Sequence, residues 1–260
     1  MTKRVEGKVA MVIGAGSVGP GWGNGKAAAV LYAREGAKVL AVDRSEAAAE
    51  ETRGVIVGEG GEAEIFAGDM TLEDDVEAAV AHAISTWGRI DILHFNIGIS
   101  TKGGVEATEP AEWDRVFNVN LRSAYLTSKA VLPGMRKRGS GALVFISTVA
   151  SIKAGPYSYV SYEASKAGLN RLSGSIAAEY AAHGVRSNVI LPGMIATPHV
   201  DVFVAGDNDP AAFASARAEM VPMKRQGTGW DIARAAVFLA SDEAGFITGV
   251  ELRVDGGAGV

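Results

Sequence analysis

The sequence predicts the α/β class: one domain, residues 1–260, built on a doubly wound, seven-stranded and mostly parallel sheet with helices on both faces. Two observations carry this. Short apolar runs ended by glycine or aspartate alternate with stretches of helical periodicity along the whole chain, and strands separated by helices are joined by right-handed crossovers that cover a parallel sheet on both sides. The chain has 260 residues and is 48% hydrophobic, enough to fill one such core without a second domain.

Each strand is read from a short buried-type run. Residues 8–13 (KVAMVI), 38–43 (KVLAVD), 63–66, 90–95, 142–148 (ALVFIST), 186–191 and 250–254 are the seven. Helices fill the intervals: 25–35, closed by Gly36, then 46–57, 72–86 with acidic residues in its first turn, one or two segments within 111–138, then 161–182 and 230–240. Residues 198–220 form the one long connection of undefined structure. Such connections are either lids over a binding site or surface excursions, and a lid is the reading taken here.

Composition excludes several function classes. The formal charge is −5 and no long basic run occurs, so nucleic acid and anionic membrane surfaces have little to attract them. No run approaches the ~18 apolar residues of a membrane span, and the stretch after Lys3 and Arg4 is too short for a secretion signal. With no cysteine, disulfides and thiolate metal sites are ruled out, no other metal-ligand pattern stands out, and a reducing, cytoplasmic location is the expectation.

Three patterns carry chemistry. The run from Gly14 to Gly25 (GAGSVGPGWGNG) joins the first strand to the first helix. There, glycines let backbone approach a pyrophosphate, and the helix start offers free N–H groups. Asp43 closes the second strand; a carboxylate there can accept both hydroxyls of an adenosine ribose and repel the extra phosphate of NADP, although Arg44 beside it could soften that preference and an ordinary turn aspartate is the alternative. Tyr162 and Lys166 sit at i and i+4 on one helical face. A nearby ammonium lowers a phenol from its ordinary value of roughly 10 toward use as a general acid/base. Finally, Ser147 and Thr148 end the fifth strand, where ligands bind in doubly wound sheets, although hydroxyls also occur there for turn reasons.

Taken in order, these motifs resemble the short-chain dehydrogenase/reductase family from Lys8 to Gly257, in its single-domain Rossmann-type form. The resemblance rests on the glycine loop, Asp43, Asp69-Met70, Asn96-Ile97-Gly98, Asn118-Val-Asn120, Ser147-Thr148, Tyr162-x-x-x-Lys166, Pro192-Gly193 with Thr197, and Val254-Asp-Gly-Gly257. It implies an NAD-dependent oxidoreductase moving hydride between cofactor and a carbinol or carbonyl carbon. Gly14, Gly23, Asn24 and Gly25 would hold the pyrophosphate; Asp69 and Met70 would meet the adenine; Asn96, Ile97 and Gly98 would line the channel. Asn120 would hold a relay water. Lys166 would bond the nicotinamide ribose and lower the Tyr162 pKa, Tyr162 would be the acid/base, and Pro192, Gly193, Ile195 and Thr197 would border the carboxamide. The family also implies a homotetramer, built through the helices within 111–138 and 161–182 and the C-terminal segment.

Departures from the family pattern leave questions open. Eight residues separate Gly14 from Gly23, and Trp22 among them could cover the cofactor; Ile13 replaces a threonine, and Ile97 an alanine. Thr148 aligns with the family's catalytic serine better than Ser147, and both are kept. The alternatives are an enoyl (C=C) reductase using Tyr159-x6-Lys166 and a dinucleotide-binding protein without turnover. Residues 101–108, 151–159 and 198–220, with Tyr157, Tyr159, Phe203 and Phe213, would shape a pocket for a neutral, partly apolar alcohol or ketone.

Overall fold

The computed structural model describes residues 3–155, 158–200 and 209–260. Seven strands form one sheet: β1 (Val9–Ile13), β2 (Lys38–Asp43), β3 (Ala63–Ala67), β4 (Ile92–Phe95), β5 (Gly141–Ile146), β6 (Val185–Pro192) and, last in the chain, β9 (Glu251–Val254). Their order is β3-β2-β1-β4-β5-β6-β9, and every neighbouring pair is parallel. The chain reverses direction across the sheet between β1 and β4. At that crevice, beyond the strands' carboxyl ends, ligands bind in such sheets.

Successive side chains on a strand face opposite ways, and the sequence uses this to build two cores. Ala10 and Val12 of β1, Val144 of β5 and Ile190 of β6 face α1 (Asn24–Arg34) and α8 (Gly229–Ala240). Those helices meet through small residues, among them Ala28, Ala29, Ala233 and Ala236, which permit close approach. Met11, Ile13, Leu93, Phe95, Leu143 and Phe145 face the other way, toward α3 (Glu73–Trp87), α5 (Ser123–Arg138) and α6 (Val160–Tyr180). Each fully buried large side chain contributes roughly 1.5–3 kcal/mol.

Helix ends follow local chemistry. Ser45 caps α2 (Glu46–Gly58) by accepting from the Ala48 N–H; Glu73, Asp74 and Asp75 occupy the first turn of α3; and Gly88 and Gly139 close α3 and α5 in left-handed conformation. The interval 111–138 is one continuous path broken by geometry. Helix α4 (Pro110–Phe117) passes through a π turn, Asn118–Arg122, into α5. One extra residue per turn turns Asn120 inward, a device common at functional sites.

Two differences from the sequence reading bear on the site. β5 ends at Ile146, so Ser147 and Thr148 belong to the turn beyond the strand. The connection 198–220 contains helix α7 (Pro210–Glu219). It is flanked by a small parallel pair, β7 (Ile195–Ala196) with β8 (Gly227–Thr228). Phe203 and Tyr157 lie outside the described residues. No helix among the described residues is long and apolar enough to cross a membrane.

Candidate active site

The glycine loop leaves β1 at Gly14, whose φ of 76° only glycine adopts readily. The N–H groups of Gly14 and Ala15 both donate to Val42 O, at 2.8 and 3.0 Å. The N-cap of α1 is Gly23, with no side-chain cap on the helix start. A Cβ on Gly25 would stand 1.8 Å from Gly14 O, and one on Gly16 would stand 2.8 Å from Asp43 Oδ2. The Asp43 carboxylate is fixed on both oxygens, accepting from Gly16 N and from Ser45 N at 2.9 Å each, while Arg44 is exposed. Two buried polar atoms of this loop, Ser17 Oγ and Asn24 Oδ1, have no hydrogen-bond partner among the described residues. A cradle of close-approach glycines, uncapped helix donors and orphaned polar atoms fits the pyrophosphate and ribose of a dinucleotide.

The flanking residues define the rest of the groove. Asp69 is folded into an Asx turn, its Oδ1 accepting from Thr71 N at 2.9 Å and Thr71 Oγ1 at 2.8 Å. Met70 is 3% exposed within the second core, so only its backbone can face a ligand. Asn96 Nδ2 donates to Gly14 O at 3.2 Å. Cγ2 of Ile97 lies 2.6 Å from where a Gly14 Cβ would be, and Gly98 abuts the Lys166 ammonium, 3.0 Å from its own absent Cβ. Across the crevice, Gly193 follows the end of β6 and packs its Cα face against Asp255. Ile195 is buried while its carbonyl accepts from Arg217 Nη2 at 3.3 Å. Pro192 is likewise buried, and Thr197 is half-buried beside them.

The candidate catalytic side chains gather around α6. Asn120 is fully buried: Oδ1 accepts from Ile99 N at 2.8 Å, and Nδ2 donates to Ile99 O at 2.9 Å and Ser165 Oγ at 3.0 Å. Both amide hydrogens are therefore used, and a water could add only at Oδ1 or the backbone. Lys166, 2% exposed, donates to Ile97 O at 3.2 Å and Ile146 O at 2.9 Å, and burial pulls its ammonium down to about 7. Tyr162 lies one turn before it. Burial holds this phenol above its ordinary value; the Thr148 hydroxyl, hydrogen-bonded to it, opposes that, and neighbouring Tyr159 adds to it. Desolvation dominates at the phenol, and the Lys166 ammonium is directed at the Ile97 and Ile146 carbonyls.

The two strand-end hydroxyls separate clearly. Thr148 reaches Tyr162 and caps the following 3-10 turn, accepting from Ala150 N at 3.2 Å. Ser147 is buried and turned toward α6, donating to Lys166 O at 3.2 Å. Opposite them, the 101–108 loop is tied to the start of α6: Gly103 N donates to Ser158 O at 3.0 Å, Val160 N to Gly103 O at 3.2 Å, and Thr101 Oγ1 lies 3.3 Å from Ser161 Oγ. Phe213 sits on α7 with Arg217 Cζ 5.6 Å from its ring.

Sequence reasoning did not single out Ser17, whose buried Oγ has no hydrogen-bond partner among the described residues, nor the partner of Trp22. A hydroxyl inside a loop chosen for its glycines carried a signal that went unused. The Trp22 ring packs on Trp230 of α8, centroids 4.6 Å apart.

A doubly wound sheet with a Tyr–Lys pair and a buried asparagine beside a close-approach glycine cradle defines an oxidoreductase built on a dinucleotide fold. The comparisons agree. A family model described as "Enoyl-(Acyl carrier protein) reductase" matches residues 20–259. The chain is 35% identical to 2-(S)-hydroxypropyl-CoM dehydrogenase 3 of Xanthobacter autotrophicus, covering 99% of this chain and 98% of the relative. Among solved structures, a short-chain dehydrogenase/reductase of Burkholderia xenovorans superposes with a TM-score of 0.95 at 43% identity, covering 98% of this chain and 97% of that one. Levodione reductase superposes with a TM-score of 0.92 at 33% identity, covering 98% and 99%. The chain belongs to the short-chain dehydrogenase/reductase family.

Proposed function

We propose that this chain interconverts a neutral, partly apolar secondary alcohol and its ketone with NAD(H), as a single catalytic unit whose residues around 198–220 border the substrate. The observation that carries this reading is the Thr148–Tyr162 hydroxyl pair, with Tyr162 on the helix that also holds the buried Lys166, one turn on, and Ser165, which Asn120 meets. The nicotinamide, when bound, supplies the two-electron hydride chemistry. Tyr162 takes the alcohol proton or returns it to the carbonyl. The single O–H of Thr148 meets the Tyr162 oxygen before substrate binds, lowering the cost of the phenolate, and turns to the substrate oxygen as charge develops there. Lys166, poised near neutrality, can carry the proton onward, and Asn120 fixes the backbone beside it. Ser147 acts through the backbone of α6.

For the cofactor, Gly14, Ser17, Gly23, Asn24 and Gly25 would hold the pyrophosphate, and Asp43 the adenosine ribose, favouring NAD over NADP by charge. Asp69, the Met70 backbone, Asn96, Ile97 and Gly98 would line its path, and Lys166, Pro192, Gly193, Ile195 and Thr197 the nicotinamide end. Two relatives named for alcohol or ketone substrates support the reaction class. The homotetramer expectation stands as part of the proposal, supported by half-exposed Tyr125 on α5 and fully exposed Phe246 before the edge strand β9; light scattering decides it.

A second reading, reduction of a C=C bond, draws on the matching model's description and on Tyr159 beside Tyr162. One screen separates the two: alcohols, ketones and enoyl thioesters, each with NAD(H) and NADP(H). Turnover confined to alcohols and ketones with NAD(H) is expected. Turnover confined to enoyl thioesters would replace the first reading with the second.

A further inference from the structure

We propose that the extension of the glycine loop, residues 15–22, ties the pyrophosphate cradle to the segment bordering the nicotinamide site, with Trp22 as its positioning residue; this rests on reading the cradle as a dinucleotide site. The extension closes a ring of contacts. Trp22 packs on Trp230 in the first turn of α8, centroids 4.6 Å apart and planes at 50°. The pair is clamped by two cations: Lys26 Nζ lies 5.1 Å from the Trp22 ring and Arg34 Cζ 4.8 Å from the Trp230 ring. Lys26 is itself held by Glu51 at 2.5 Å.

Next to Trp230, Gly229 lies so close that a Cβ there would be 3.0 Å from both Trp22 O and Gly23 O. Two residues earlier, β8 pairs Gly227 and Thr228 with Ile195 and Ala196 of β7, and Gly227 N donates to Met194 O at 2.9 Å. Two residues after β7, Pro198 returns to the extension: it lies 3.4 Å from a Cβ position at Gly21 and 3.7 Å from one at Gly19. The residues expected beside the carboxamide thus sit between two attachments to the loop expected around the pyrophosphate. A loop of small residues has high conformational freedom when unanchored. A large flat aromatic pair is a strong local anchor. A ligand that orders Ser17 and Asn24 therefore also orders β7 and β8, and Trp22 transmits that order.

The test is limited trypsin digestion mapped at Arg217, Lys224 and Arg225, with and without saturating NAD⁺, on the native protein, Trp22→Ala, Trp22→Phe and Pro198→Ala. Calorimetric titration fixes NAD⁺ occupancy, and thermal melts check folding. In the native protein and Trp22→Phe, NAD⁺ slows cleavage at these sites by about tenfold or more, as a ligand that closes local opening must. In Trp22→Ala and Pro198→Ala, NAD⁺ still binds but the protection largely disappears. With an alcohol turned over by the native enzyme, Trp22→Ala raises the substrate KM about tenfold and changes kcat less than about threefold, the signature of lost positioning. Full protection in a folded, NAD-saturated Trp22→Ala or Pro198→Ala protein overturns the coupling. So does a native protein that binds NAD⁺ without protection, or a Trp22→Ala protein whose only defect is weaker NAD⁺ binding. If Trp22→Ala does not fold, the Pro198→Ala digestion decides between coupling and no coupling. A native protein that binds neither NAD(H) nor NADP(H) refutes the dinucleotide reading itself, a distinct outcome.

Discussion

Replacing Thr148 and Ser147 one at a time separates two hydroxyls that are neighbours in sequence and opposed in space. Thr148→Ala removes the hydrogen bond to the Tyr162 phenol and the acceptor for Ala150 N. Loss of one donor aimed at a developing oxyanion costs about 10²–10³ in kcat. Loss of the turn cap costs about 1 kcal/mol of stability, or roughly 2–4 °C in Tm for a chain of this size. The Thr148 hydroxyl lowers the Tyr162 pKa against burial, so its removal raises that pKa further. Alcohol oxidation needs the phenolate, and its rate therefore begins to rise at higher pH in Thr148→Ala. Thr148→Ser keeps the donor and stays within about tenfold of the native kcat. Ser147→Ala loses a bond to a helix carbonyl at 3.2 Å; it lowers stability by about 1 kcal/mol and leaves kcat within about threefold. Steady-state kinetics across a pH range of about 5–10, with melts of each variant, supply the data. If Ser147→Ala is the slow variant and Thr148→Ala the near-normal one, the assignment of roles from this geometry is wrong.

Three further outcomes are expected. Gly25→Ala places a methyl group 1.8 Å from Gly14 O, so backbone must shift. NAD⁺ affinity falls more than about 100-fold by calorimetry, and Tm drops by several degrees; an unchanged Kd would mean that these glycines do not cradle the cofactor. Asp43→Ser deletes the carboxylate facing Gly16 N and shifts the ratio of kcat/KM for NADP⁺ over NAD⁺ upward by about 10- to 100-fold; an unchanged ratio would leave Asp43 as a turn former. His94, fully buried beside Tyr32 Oη at 3.3 Å, has its pKa pushed down to about 3 by burial. The unfolded chain takes up that proton near its ordinary value of about 6.5. Stability is therefore complete above about pH 6.5 and falls as pH drops toward 3, by about 2 kcal/mol at pH 5. Denaturant melts near neutrality and at about pH 5 should show this loss in the native protein and a smaller one in His94→Gln; equal losses would exclude His94 as the cause.

Much of the fold was legible because buried parallel strands write themselves as continuous apolar runs. β2 falls where KVLAVD predicts it, and the two-faced core follows from alternation within strands such as VAMVI. The ends of strands were less legible, since ALVFIST continues to look apolar after pairing stops at Ile146. The π turn at Asn118–Arg122 could not be read at all: a single extra residue in a helical path leaves no periodic trace. At the site, Tyr162 and Lys166 were found by residue type and spacing and Asn120 through the family resemblance, and the structure brings Asn120 to the same helix through Ser165. Their environments were not found. Whether Lys166 meets a phenol or two carbonyls, and whether Ser147 or Thr148 faces Tyr162, depends on elements far apart in sequence. The same holds for Trp22, whose partner Trp230 lies at the other end of the chain.

Tyr162 as the acid/base is the central claim, and Tyr162→Phe tests it most directly because only the phenolic oxygen is removed. Turnover is measured with the best alcohol–NAD⁺ pair from the screen, alongside calorimetric NAD⁺ binding. The variant should bind NAD⁺ within about threefold of the native protein and lose about 10²–10⁴-fold in kcat, the range expected for a positioned proton-transfer group. Native-level turnover by Tyr162→Phe would contradict the mechanism.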